Sequence, residues 1–259
     1  VYERLGDVRS RAVTMGRIAD MLEARGDLEE ALRILQKEVL PAFERLGDVR
    51  WRALTMGKIA DVLYAQGDLE EALRILREEL LPVFERLGDV RSRAVTMGKI
   101  ADVLYAQGDL EEALRIRREE ELPVYERLGD VRWRALTMGK IADVLSARGD
   151  LEEALRIRRE EELPVYERLG LRRDLLVGQD KLALAHLTRS RDGDREEAIA
   201  LLHAAFQAAE KLRLPEAQQI LDLLLSRGAP AAFQLGASRV PYATIGPAEA
   251  GKPGQAEGA

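Results

Sequence analysis

The feature that most narrows the fold of this chain is a period. Gly6, Gly47, Gly88, Gly129 and Gly170 each follow Arg-Leu, and every step between them is 41 residues. The stretch GDLEEALRI recurs unchanged from Gly26, Gly67, Gly108 and Gly149. A fixed period of roughly 20–50 residues marks a stacked array whose units bury their apolar faces against one another.

Within each unit the apolar spacing is helical. Val49, Ala53, Met56, Ala60 and Leu63 fall three and four residues apart and predict a first helix, A. Leu69, Ala72, Leu73 and Leu76 predict a second, B. Aromatics make up only 5% of the chain, while Leu, Ala, Glu and Arg abound, and these side chains lose little rotamer freedom in a helix. Asp68 with Glu71 has the spacing of a capping box, the Asp accepting free amides and the Glu reaching back. Asp27 with Glu30, Asp109 with Glu112, Asp150 with Glu153 and Asp194 with Glu197 repeat it. Gly67 and Gly88 suit the left-handed residue that ends a helix. Each unit is therefore a helix-turn-helix hairpin. Pro82, like Pro41, Pro123 and Pro164, falls inside helix B and forfeits a hydrogen bond, which predicts a kink there rather than a stop.

Ala60, Gly67, Asp68 and Ala72 stand in the x-x-G-D-x-x-E-A register of the tetratricopeptide repeat, and the chain resembles that family over roughly residues 1 to 212. Met56, Leu63 and Glu79 depart from its commonest residues. The excess over a 34-residue repeat is about two helical turns, as in the long repeats of kinesin light chain and of many bacterial members. The resemblance implies an all-α, right-handed superhelical solenoid of antiparallel helix hairpins. The expected organisation is the end of a preceding repeat at 1–5, four near-identical repeats over 6–169, a divergent fifth at 170–212, a cap helix at 213–228 begun by Pro215, and a mostly disordered tail at 229–259. A docked tail would rest on Phe233, Val240, Tyr242 and Ile245. The opening VYERLGD copies the sequence from Val124, so an uncapped N-terminal end with a repeat or another domain upstream is expected, and with it a route to oligomers.

Chemistry finds little foothold. There is no cysteine, no phosphate-binding glycine loop, no zinc-spaced pair and no nucleophile motif, so no catalytic residue, metal or cofactor is expected. His186 and His203 read as helix surface or packing residues. A formal charge of −6 argues against a general nucleic-acid binder. No apolar run approaches a membrane span and no signal-like segment opens the chain, which makes a cytoplasmic location the expectation.

What remains is a surface. In the family the concave wall is built from one face of successive A helices, and the register puts Arg50, Trp51, Leu54, Gly57, Asp61 and Tyr64 there. Their counterparts Arg91, Asp102, Tyr105, Arg132, Trp133 and Asp143 continue the wall. Trp51 and Trp133 alternate with Ser10 and Ser92, which a close-packed slot could not tolerate, since truncating a buried Trp costs roughly 3–5 kcal/mol. They are expected at the surface or a loose rim, either as partner anchors or packed on arginine stems. Mid-helix Gly57 costs about 1 kcal/mol against Ala, so a neighbouring helix or a ligand backbone comes close. Asp61 disfavours a C-terminal carboxylate as ligand, and Lys58 is placed to neutralise it along the helix. Leu76 and Leu80 become Arg117 and Glu121, then Arg158 and Glu162; joint exchange for opposite charges predicts a half-exposed outer face.

The expected function is a scaffold that holds an extended peptide or helix of a protein partner. The alternative is a regulatory segment of a larger bacterial signalling protein with an upstream effector or NTPase domain.

Overall fold

The computed structural model describes residues 7–214 and 216–226. The expectations for residues 1–5, for Pro215 and for the tail from Ala229 lie outside them.

The described residues form an all-α solenoid of antiparallel hairpins. The A helices are α1 (Val8–Arg25), α4 (Val49–Gln66), α7 (Val90–Gln107) and α10 (Val131–Arg148). Each B helix is α-helix, π turn and α-helix in unbroken succession. These are α2 (Leu28–Ile34), Leu35–Val39 and α3 (Leu40–Arg45); α5 (Leu69–Arg74), Ile75–Leu80 and α6 (Leu81–Arg86); α8 (Leu110–Arg115), Ile116–Glu121 and α9 (Leu122–Arg127); and α11 (Leu151–Ile157), Arg158–Glu162 and α12 (Leu163–Arg168). A fifth hairpin, α13 (Arg172–Arg189) and α14 (Asp194–Leu212), carries α15 (Glu216–Ser226) on its far side.

The helix ends differ from the expected capping boxes in one respect. Asp68 and Asp109 do cap, accepting from the amides of Glu71 and Glu112, but Asp27 and Asp150 make no such bond. The glutamates turn forward instead: Glu71 accepts two bonds of 2.7 Å from Arg74. A charged, bidentate arginine one turn on outcompetes a neutral backbone amide. At the fifth hairpin Gly193 is the N-cap and Asp194 is the first helical residue, buried and taken up by other partners. The stronger caps begin the A helices, where Asp7, Asp48, Asp89 and Asp130 accept from the amides of Ser10, Trp51, Ser92 and Trp133 at 2.9, 3.0, 3.0 and 3.1 Å.

At Pro82 helix B continues, and the accommodation is a π turn: the Leu81 amide donates to the Leu76 carbonyl, five residues back, just ahead of the residue that has no amide. Its consequence is rotational. Ala72, Leu76, Leu80 and Phe84 are all buried although they stand four apart. In an unbroken α-helix the steps from Ala72 to Phe84 would drift by about 120°; absorbing one residue in the π turn cuts this to about 20°. The same column reads Ala31, Leu35, Val39, Phe43; Ala113, Arg117, Glu121, Tyr125; and Ala154, Arg158, Glu162, Tyr166.

That column overturns the half-exposed outer face expected for the charged exchange. Arg117 and Glu121 are 2% and 4% exposed, Arg158 and Glu162 1% and 5%. Burial is possible because each arginine is shared: Arg117 Nη1 lies 2.8 Å from Glu121 Oε2 and its Nη2 2.7 Å from Asp102 Oδ1, on the A helix of the same hairpin. Thr137, from the following A helix, donates to Glu121 at 3.1 Å. Pairing and hydrogen bonding together offset the cost of desolvating the charges.

Candidate functional site: the A-helix wall

Two ladders of ion pairs run across the A helices. In the first, Arg9, Arg50 and Arg91 reach Asp48, Asp89 and Asp130 of the next hairpin at 3.0, 2.7 and 2.6 Å. Those aspartates thus cap their own helix and receive the preceding one. In the fifth hairpin Leu171 stands at the cap position, and Arg132 pairs with Asp174 at 3.6 Å instead.

The second ladder runs the other way. Lys58 pairs with Asp20, Lys99 with Asp61 at 2.6 Å, Lys140 with Asp102 at 2.9 Å and Lys181 with Asp143 at 2.6 Å. The ion-pair partner of Asp61 is therefore Lys99, 38 residues on, rather than Lys58 of its own helix. Burial pushes the Asp61 carboxyl above its ordinary value, against the pull of Lys99.

The aromatic rim packs on the chain itself. Trp51 stacks on Phe43 with centroids 5.4 Å apart and Trp133 on Tyr125 at 5.5 Å, with the Arg91 guanidinium 5.8 Å from the Trp133 ring. Both indoles are half-buried. Where Ser92 replaces them its hydroxyl turns to Asp89 at 2.9 Å.

The mid-helix glycines admit the B-helix column. A Cβ on Gly57 would sit 3.3 Å from Leu80 Cδ2, and one on Gly98 only 2.7 Å from Glu121 Oε1. Of the sequence-selected residues, the ones left facing solvent with apolar surface are Leu54 at 37%, Tyr64 at 39% and Tyr105 at 37%, joined by Leu136 at 38%.

Between successive hairpins the wall is pitted. A cavity of about 270 Å³ lies between α1 and α4, lined by Val13, Gly16, Phe43, Trp51 and Leu54 among others. Its counterpart one hairpin on, about 220 Å³, is lined by Leu54, Gly57, Leu80, Phe84 and Val95. A third, about 280 Å³, holds Asp61, Tyr64 and Asp102.

The fifth hairpin contains a polar cluster that sequence pattern did not reveal. His186 is fully buried; its Nδ1 lies 2.7 Å from Asp194 Oδ1 and its Nε2 2.6 Å from Arg159 Nη2. Arg189 completes the cluster and, as the leading cause, holds the Asp194 carboxyl well below the usual carboxylate range. His186, Asp194 and Glu197 bring possible ligand atoms within 4.8 Å of one another. The Arg159 guanidinium already bonds both His186 Nε2 and Glu197, so the cationic position is filled by protein. Among the described residues no helix is long and apolar enough to cross a membrane.

A family model for the tetratricopeptide repeat matches residues 10–80 and 92–160. Among solved structures, a variant of the kinesin light chain-type, nearly identical TPR-like repeats from Podosopora anserina is 20% identical, covering 79% of this chain and 97% of that one with a TM-score of 0.61. A STAND protein with a tetratricopeptide repeat sensor, PH0952 of Pyrococcus horikoshii, is 16% identical over 89% of this chain and 36% of its own, with a TM-score of 0.67. A Rap protein complexed with competence and sporulation factor is 14% identical over 90% and 68%, with a TM-score of 0.63. Comparison with curated proteins gives no match.

Proposed function

The chain belongs to the tetratricopeptide repeat family, and from that premise we propose that it is a protein-interaction platform that holds a segment of a partner protein along its concave A-helix wall. The observation that carries this reading is the division of labour on the wall. The two ladders join neighbouring A helices into one surface, while Leu54, Tyr64, Tyr105 and Leu136 keep apolar area free between them. Aromatic side chains and arginines are the residue types that dominate interface energies. Arg50, Trp51, Gly57, Asp61, Arg91, Asp102, Arg132, Trp133 and Asp143 then shape the wall, and Leu54, Tyr64 and Tyr105 make its apolar contacts.

The test is capture of partner proteins by the wild type and by Leu54→Lys/Tyr105→Ala, with circular dichroism as the control for folding. The double variant is expected to lose the captured set. Retention of every partner would remove the wall from the reading.

A second reading, a sensor segment within a larger cytoplasmic signalling protein, is favoured by the likeness to the repeat sensor of the STAND protein. Here the native polypeptide would be isolated from its source and its mass measured. A mass equal to the 29.0 kDa of this chain would sink that reading.

A further inference from the structure

We propose that the edge of the solenoid formed by the turns from each B helix to the next A helix docks on the surface of a lipid bilayer with anionic headgroups. The leucine and valine of each turn enter the surface, and one arginine per turn meets the headgroup charge. This goes beyond the platform reading and uses a different surface from the wall.

Antiparallel hairpins put every B-to-A turn on one long edge and every A-to-B turn on the other. The ion pairs of Arg9, Arg50 and Arg91 with Asp48, Asp89 and Asp130 tie the starts of successive A helices together, so the turns of the first edge follow one another in a row. Each turn carries a leucine at the end of helix B and a valine at the start of helix A: Leu46 with Val49, Leu87 with Val90, and Leu128 with Val131. All six are between 41% and 53% exposed, more than Leu54, Tyr64 or Tyr105 on the wall. Gly47 and Gly88 have open space beside them, so these tips project instead of lining a cleft. Single exposed apolar residues are ordinary, but a row repeated in the same place marks contact with another surface.

Charge selects what that surface is. The acidic groups of this edge are already spent: Asp48, Asp89 and Asp130 hold the arginines just named, while Glu44, Glu85 and Glu126 pair with Arg52, Arg93 and Arg134 at 3.1, 3.2 and 3.5 Å. Arg45, Arg86 and Arg127 are left over. Each is exposed, donates from Nε to the carbonyl of Pro41, Pro82 or Pro123 at 3.3, 3.2 and 3.3 Å, and makes no ion pair among the described residues. The opposite edge has the reverse surplus, since Asp68, Glu70 and Asp109 are exposed there and make no ion pair among the described residues. An anionic surface is therefore attracted to one edge and repelled by the other.

Depth selects a bilayer over a protein. The bond to the proline carbonyl folds each arginine back along helix B, so its charge stands behind the leucine that follows it in the chain. A bilayer has the same order, anionic headgroups outside and acyl chains beneath, and an interfacial segment enters it by about 5–10 Å. Arginines that keep their heads among the headgroups while apolar neighbours go deeper satisfy both layers. The bilayer offers this layering at every turn without a matching shape. Such a contact inserts side chains and requires no spanning helix.

The experiment sediments the whole chain with vesicles of phosphatidylcholine alone or of equal parts phosphatidylcholine and phosphatidylserine. Binding to the anionic vesicles is expected to be about tenfold or more tighter, and Arg86→Gln/Arg127→Gln should weaken it about fivefold for each arginine removed. Leu87→Ser/Leu128→Ser should weaken it as well, whereas Glu70→Gln on the opposite edge should not. Circular dichroism checks that each variant folds as the wild type does. The chain has no cysteine, so Val90→Cys and Glu70→Cys can each carry one polarity-sensitive dye. A blue shift on anionic vesicles is expected at position 90 and not at position 70. Absence of binding, equal binding to both vesicles, equal shifts at the two positions, or indifference to both double variants of the edge would overturn the proposal. Should Leu87→Ser/Leu128→Ser lose captured proteins while vesicle binding stays unchanged, the edge docks a protein and the bilayer contact falls. Leu54→Lys/Tyr105→Ala should bind vesicles as the wild type does, so failure of the wall and failure of the edge are read separately.

Discussion

Arg117 and Glu121 pair at 2.8 Å inside the third hairpin, at the positions that Leu76 and Leu80 fill in the second. One backbone therefore accepts either an aliphatic pair or an ion pair in the same buried column. The protein supplies its own control for what the charges contribute, because the aliphatic version is already in place one repeat away.

Arg117→Leu alone leaves Glu121 buried without its main partner and should cost about 3–5 kcal/mol. Arg117→Leu/Glu121→Leu restores the residues of the second hairpin and should be neutral or stabilising by about 1–4 kcal/mol. Urea denaturation of the two variants checks the order. A double variant less stable than the single one would show that the charges are needed where they stand.

The same pair predicts a pH signature. Burial, the leading cause, raises the Glu121 and Glu162 carboxyls above their ordinary value, opposed by Arg117 and Arg158. A raised carboxyl binds its proton more readily in the folded chain, so its contribution is present below the unfolded value and lost as pH rises through the folded one. Relative to a variant with both pairs replaced by leucine, the wild type should gain melting temperature as pH falls through that window. Parallel curves would contradict this.

Asp194 works in the opposite sense. Its lowered carboxyl stabilises above the ordinary aspartate value and loses that contribution as pH falls below it. Asp194→Asn should destabilise the fifth hairpin at neutral pH and flatten its acid dependence. Hydrogen exchange should locate the change in α13 and α14, with α4 and α7 little altered.

The glycine rung separates helix propensity from packing. Gly16 offers a new Cβ ordinary contact, 3.9 Å from Val39, whereas Gly98 would set it 2.7 Å from the carboxylate held by Arg117. Gly16→Ala should therefore gain roughly 0.5–1 kcal/mol, while Gly98→Ala should lose stability by displacing Glu121. Melting temperatures that move in the same direction would refute the difference in packing.

How far residues alone could lead varies with the range of the interaction. The hairpins, their glycine ends and the A-helix register follow from period and spacing, as Gly67 and the buried Ala53, Met56 and Ala60 illustrate. The caps at Asp48 and its copies lack the capping-box signature, because no Glu follows three residues on and Trp51 or Ser92 stands there instead. The π turns also left a trace, since Ala72, Leu76, Leu80 and Phe84 are spaced too widely for one α-helical face. Burial of Arg117 left none: its second partner, Asp102, lies 15 residues away on another helix. The ladder partners, such as Lys99 for Asp61, likewise become visible only once hairpins stand side by side.

The π turn also bears on how such a gene can grow. Losing one residue from Arg77 to Glu79 would swing Phe84 by about 100° out of its column, and the turn glycines Gly67 and Gly88 are held at positive φ, where a side chain is strained even with open space beside it. An error of one codon in the second helix misaims everything after it. The 41-residue unit is thus a quantity of rotation as much as of length, and duplication can multiply it only whole.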